Sequence, residues 1–232
     1  MQLNTHLLSK FVILGIPRSG STLLVSLLDS HPQIHCEGEL LTYRLFFPRS
    51  YINCHSKLCR KDVFGFKLLV DHFETQKIQD GRPFLEELSW GGYQIIYLRR
   101  QNLYRAALSS LYGAFIGKYH LSQGSGNQLR IAMVVSTEEL LAKLQRFEYL
   151  ASRQAEIIGD LPCLEVFYEN DLAEGNQHQP TIDRISDFLG IPCAQAHSQL
   201  IRVTTDEVSG FVENAAELDE YLRSSPYSKY LD

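Results

Sequence analysis

Gly15 and Gly20 have four residues between them, and this Ile16-Pro17-Arg18-Ser19 segment, with Ser21-Thr22 following, forms a stretch able to hold an anion. The G-x-x-x-x-G spacing lets successive backbone N–H groups converge on a phosphate, and a helix opening at Ser21-Thr22 adds its positive end. A nucleoside-triphosphatase loop carries Lys directly after the second Gly. This chain has Ser21 there and places its cation inside the loop, at Arg18. The candidate phosphate ligands are therefore Pro17, Arg18, Ser19, Gly20, Ser21 and Thr22, although the same residue types also suit a strand-to-helix turn with no ligand. Two carboxylates, Glu37 and Glu39, could take a proton from a hydroxyl, and alternation would put both on one side if a strand runs on through them. Lys67 interrupts the apolar run VFGFKLLV and needs a partner there, a carboxylate or a bound anion, unless it snorkels from a strand end. Arg99 and Arg100 close another apolar run, and a guanidinium fork with a hydroxyl from Ser109 makes a second phosphate-binding pair. Adjacent arginines at a strand end are equally compatible with plain solvation or ion pairing. His35, His72 and His120 are weaker acid–base candidates, each also readable as an ordinary surface or packed histidine.

These residues must be carried by regular elements. Phe11 to Ile16 is a buried-strand run leading into the loop, and Thr22 to Leu28 is an apolar helix. Pro32 breaks helical geometry, and Gln33 to Cys36 reads as a short strand ending in the acidic turn Glu37-Gly38-Glu39. Residues 40–60 mix aromatic and basic side chains with weak helical periodicity. Val63 to Val70 reads as a central parallel strand, Asp71 to Gln79 as a helix, Gly81-Arg82-Pro83 as a turn and Phe84 to Trp90 as a short helix. Tyr93 to Leu98 is the next buried strand, and Leu103 to Phe115 follows helical spacing. The polar stretch GKYHLSQGSGNQ (residues 117–128) has no periodicity and the length of a lid. Leu140 to Ile158 is a long amphipathic helix, Pro162 to Tyr168 a last core strand, Ile182 to Leu189 a helix ended by Gly190, and Ala215 to Leu222 a final helix. Strands alternating with helices predict an α/β protein: a three-layer P-loop fold with a central, mainly parallel sheet of about five strands, helices on both faces, and ligands at the carboxyl ends of the strands.

A strand followed by P-R-S-G-S-T and a helix resembles the 5′-phosphosulfate loop of sulfotransferases that use 3′-phosphoadenosine 5′-phosphosulfate (PAPS). Tyr97 to Asn102 (YLRRQN), with Arg105 and Ser109 downstream, resembles their 3′-phosphate motif. Arg100 to Ser109 is one residue longer than the commoner family spacing, which leaves Arg99 and Ser110 as alternates. Tyr168 to Leu172 (YENDL) and Ile185 to Gly190 (ISDFLG) are similar to mainly structural segments of the family. The tail, with Val212-Glu213-Asn214 and Pro226-Tyr227, is similar to that of bacterial members, the soluble carbohydrate-type enzymes and the trehalose sulfotransferase group above all. The resemblance implies one sulfotransferase domain over residues 1–232 that moves a sulfuryl group from PAPS to an acceptor hydroxyl, releasing adenosine 3′,5′-bisphosphate. It implies the 5′-phosphate at residues 17–22 with Arg18 supplying charge, the 3′-phosphate at Arg100 and Ser109, a base at Glu39 or Glu37, and a catalytic Lys67 in a matching GFK segment. No metal is expected, because the leaving group is already a phosphate stabilised by the loop.

The composition agrees with a small-molecule partner. At 232 residues and a formal net charge of −5 the chain has length for one large α/β domain and no basic field for nucleic acid. Five scattered cysteines (Cys36, Cys54, Cys59, Cys163, Cys193) suggest a reducing compartment. Cys54-His55 and Cys59 lack a second half at metal-ligand spacing. The first apolar run is too short for a transmembrane helix and no cleavable leader precedes it, so a cytoplasmic location is expected, with a homodimer left open. Two rival functions stand beside transfer: a P-loop kinase, with Asp71 as its metal-binding carboxylate, and a non-catalytic nucleotide-binding protein.

Overall fold

The computed structural model describes residues 9–117, 121–122, 131–201, 204 and 207–231. Its elements, in chain order, are β1 (Ser9–Gly15), α1 (Ser21–Asp29), β2 (Ile34–Glu39), α2 (Pro48–Leu58), β3 (Val63–Leu69), α3 (Val70–Thr75), α4 (Gly81–Trp90) and β4 (Tyr93–Arg99). Then come α5 (Leu103–Phe115), β5 (Leu121–Ser122), α6 (Thr137–Ile158), β6 (Cys163–Phe167), α7 (Gly175–Leu189), β7 (Leu200–Ile201) and α8 (Ala215–Arg223). The chain divides into two compact units, Met1–Arg99 with Ala151–Ser198, and Arg100–Leu150 with Gln199–Asp232.

The first unit holds a five-stranded sheet in the order β2-β3-β1-β4-β6, parallel throughout. β1 takes the centre because Phe11, Val12, Ile13 and Leu14 have no polar face to show water, and all four are fully buried. On one face, Leu24, Leu27 and Leu28 of α1 and Ile182, Ile185 and Leu189 of α7 pack over Phe11, Ile13, Ile96, Leu98 and Val166. Each such side chain contributes about 1.5–3 kcal/mol relative to exposure. On the other face Phe66 and Tyr93 meet edge-on at 5.9 Å, α4 packs on β4, and Phe73 of α3 meets Phe84 of α4. Gln154 of α6, buried, donates from Nε2 to Leu14 O at 3.0 Å and Leu98 O at 2.8 Å, tying α6 to the carboxyl ends of the two central strands.

Three local expectations change. Gly81-Arg82-Pro83 is the first turn of α4, not a free turn: Asp80 Oδ1 accepts from Arg82 N, and a proline there removes an N–H that has no helical partner anyway. The helix after β3 is six residues long and stops at Thr75, with Lys77 in the left-handed region at φ 57°. Residues 48–58, weakly periodic in sequence, form α2, with Pro48 in its first turn.

In the second unit α5 is capped by Asn102, whose Oδ1 accepts from Arg105 N at 2.9 Å. Tyr104 Oη donates to Asp219 of α8, Tyr112 meets Phe211 edge-on, and Asn214 exchanges two hydrogen bonds with the Val135 backbone. β5 and β7 pair antiparallel. Apart from Gly117 and the Leu121–Ser122 backbone, the polar stretch 117–128, with His120, lies outside the described residues. No helix among the described residues is long and apolar enough to cross a membrane.

Candidate active site

The loop between β1 and α1 is braced from within. Ser19 is wholly buried, and its Oγ donates to Ile16 O at 2.7 Å, so this hydroxyl, expected among the phosphate ligands, serves the loop's own backbone. Gly15 leaves room for it: a Cβ there would sit 3.0 Å from Ser19 Oγ. Arg18 adopts φ 61°, a conformation uncommon outside glycine that turns the loop back toward α1. Gly20 has φ 85°, and a Cβ on it would run into the Tyr168 ring, so only glycine fits. α1 then starts with no side-chain cap and no acidic residue in its first turn. Its first N–H groups and its dipole thus present an anion site, with Ser21 and Thr22 as the opening residues.

Beside the loop, four side chains converge. Lys67, 4% exposed, reaches Glu39 Oε1 at 2.8 Å and donates to Thr22 Oγ1 at 3.0 Å, which supplies the partners that a cation within an apolar strand requires. His72 Nε2 lies 3.3 Å from Glu39 Oε2. Hydrogen bonds from His72 and from Lys67 lower the Glu39 carboxyl to about 2, against the opposing effect of its partial burial. Glu39 is therefore an ionised acceptor across the physiological range.

A bulge puts Glu39 there. The β2–β3 register runs Cys36↔Gly65 and Glu37↔Phe66, then shifts, so that Glu39 and not Gly38 pairs with Lys67. Phe66 and Lys67 are consecutive and face opposite sides of the sheet, hence so do Glu37 and Glu39. The expectation that both enter one cleft is thereby overturned. Glu39 lies on the α1 face beside the phosphate loop, while Glu37 turns to the other face, where His55 Nδ1 stands 2.8 Å and His35 Nε2 3.6 Å from its Oε1.

Arg99 ends β4 already engaged, with Glu165 at 3.1 Å and its guanidinium over the rings of Phe167 and Tyr97. Arg100 opens the second unit, and Ser109 and Ser110 lie on α5 within it, both half-buried. Asp71 sits in the first turn of α3. Among the described residues no three His, Cys, Asp or Glu side chains are placed to hold a metal ion. One contributor left no sequence signal: Gln76, buried, donates to Leu41 O and Tyr43 O and accepts from Leu45 N, fixing the segment that follows Glu39. Its partners are backbone atoms, which any residue type supplies.

Residues 10–61, the span from β1 through the bulge and α2, match the model of the sulfotransferase family. Nodulation protein H of Rhizobium tropici is 25% identical over 235 residues, an alignment covering 96% of this chain and 92% of that protein. The crystal structure of a sulfotransferase from Alicyclobacillus acidocaldarius superposes with a TM-score of 0.52 at 11% identity, covering 95% of this chain and 98% of that one, a likeness of fold.

Proposed function

We propose that this chain, whose residues 10–61 match the sulfotransferase family model, transfers a sulfuryl group from PAPS to a hydroxyl of a carbohydrate or other small metabolite, the whole chain acting as one sulfotransferase domain. The observation that carries the reading is the carboxylate–lysine pair Glu39–Lys67 held against Thr22 at the mouth of a phosphate loop whose own cation is Arg18. A kinase loop has its lysine after the second glycine, and here Ser21 occupies that position. The loop suits the donor's 5′-phosphate, because α1 opens uncapped and without an acidic residue to repel it. When bound, PAPS supplies the sulfuryl group and a phosphate leaving group.

The chain's own residues do the rest. In the loop from Pro17 to Thr22, the backbone N–H groups that follow the proline and the Arg18 guanidinium meet the 5′-phosphate, and Arg100 with Ser109 takes the 3′-phosphate, a role carried by family resemblance. Arg99, paired with Glu165 and lying over two rings, stays the alternate to Arg100. Glu39 orients the acceptor hydroxyl and receives its proton, while Lys67 balances the charge on that side. Glu37, on the opposite face, has no part in this step. We place the enzyme in the cytoplasm, with no metal and no nucleic acid among its partners. The test is incorporation of label from radiolabelled PAPS into a metabolite extract, with mass spectrometry locating the product that has gained one SO₃. Binding of adenosine 3′,5′-bisphosphate in strong preference to ATP is expected; preference for ATP, or no transfer to any component, overturns the reading.

A further inference from the structure

His72 carries a role that the family pattern does not assign. It is 4% exposed, sits in the short helix α3, and uses both ring nitrogens. Leu69 N donates to Nδ1 at 3.3 Å, so Nδ1 acts as the acceptor and Nε2 keeps the proton it directs at Glu39 Oε2, 3.3 Å away. In that state the ring cannot take a further proton from substrate, which removes His72 as an alternative base.

A glutamate's terminal torsion is broad and roughly two-fold, so a single donor leaves the carboxylate plane free to turn. Two donors on different oxygens fix it. Here Lys67 from β3 stands on Oε1 at 2.8 Å and His72 from α3 on Oε2 at 3.3 Å, with Thr42 Oγ1 a further 3.5 Å contact to Oε2. About a third of the Glu39 side chain stays open to solvent, the part by which an acceptor hydroxyl can approach. We propose that His72 is the positioning residue for Glu39: Leu69 sets its tautomer, and its Nε2–H orients the carboxylate for the incoming hydroxyl.

The assignment rests on Glu39 facing the acceptor, so the test is arranged to judge positioning separately from transfer. Two variants of the full chain split the two hydrogen bonds. His72→Asn puts an amide oxygen near the Nδ1 position, keeping the Leu69 N–H satisfied and losing the reach to Glu39. His72→Gln puts its amide nitrogen near the Nε2 position, keeping the donor to Glu39 and losing the bond to Leu69. With ¹³C-labelled glutamate, the Glu39 carboxyl titration in the ligand-free protein is expected to move up by about one unit in His72→Asn and to stay low in His72→Gln. In assays the Asn variant is expected to lose about tenfold in kcat at unchanged donor KM, with the Gln variant within a few-fold of wild type. Equal titrations in the two variants, or a Glu39 that neither moves, overturn the proposal. A shifted titration without any sulfuryl transfer discards the enzymatic reading and leaves the positioning intact. A measurement on the unaltered protein needs no variant to fold: ¹⁵N NMR is expected to show the His72 proton on Nε2, and finding it on Nδ1 refutes the arrangement.

Discussion

Lys67 has almost no water around its ammonium, so the groups it touches set its cost and its use. Glu39 compensates the charge and Thr22 links it to the phosphate-loop helix. The partnership gives a signed pH dependence. The Glu39 carboxyl lies near 2 in the folded chain, below its ordinary 4.5, so its ionised form stabilises the fold above that range, and the benefit fades as pH falls from about 4.5 to about 2. Glu39→Gln is therefore expected to lose about 1–2 kcal/mol at neutral pH, a figure reduced for the third of the side chain that remains solvated. Denaturant melts of the two proteins should converge toward pH 2, and a difference constant with pH would show that the carboxylate's charge is not the source. Catalysis makes a separate demand. A carboxylate this acidic is a weak base until bond formation acidifies the hydroxyl, so we expect Glu39→Gln to lose ten- to a hundredfold in turnover, with affinity for adenosine 3′,5′-bisphosphate retained. Glu37→Gln, altered on the opposite face, should stay within a few-fold of wild type. A dead Glu37 variant beside an active Glu39 variant would reverse the assignment.

Among the elements, β2 decides which carboxylate reaches the site. The extra residue at Gly38 shifts the pairing with β3 by one and turns Glu39 toward Lys67. Deleting Gly38 should restore simple alternation with the glutamate directly after Glu37, still opposite Lys67 and still on the face away from Glu37. Nothing packs within 4 Å of a Cβ built at Gly38, so the variant is expected to melt cooperatively and to keep turnover within a few-fold of wild type. Turnover falling to the level of Glu39→Gln would mean that pairing opposite Lys67 does not by itself place the base. In the loop, Gly20→Ala meets both the Tyr168 ring and a left-handed backbone. It is expected to destabilise the chain by about 1–3 kcal/mol and to weaken phosphate binding, as calorimetry can measure.

At the scale of the whole chain, the backbone passes between the two compact units three times, once within the continuous helix α6. If the chain acts as one sulfotransferase domain, scanning calorimetry should record a single transition, and two resolved transitions would count against it. The proposed 3′-phosphate role of Arg100 has its own test. Arg100→Ala is expected to weaken binding of adenosine 3′,5′-bisphosphate by about 2–4 kcal/mol, because a desolvated phosphate loses a charged donor. Unchanged affinity would remove Arg100, with Ser109, from the 3′-phosphate site.

Features that depend on neighbours along the chain could be read from sequence alone. The glycine spacing of the loop, Arg18 displacing the lysine of a triphosphatase, the unbroken apolar runs of β1, β3 and β4 and the capping glycine at Gly190 are local constraints, and the five-stranded parallel sheet follows from their alternation with helices. Lys67 announced its need for a partner because burial of an unpaired ammonium is prohibitive. Which partner answered was settled only in three dimensions. Glu39, His72 and Gln76 act through contacts made by residues 28 to 45 positions apart or through atoms of the backbone, and neither leaves a periodic mark. The bulge at Gly38 is a one-residue slip in pairing between β2 and β3, a property of two strands at once, and it alone separates Glu39 from Glu37.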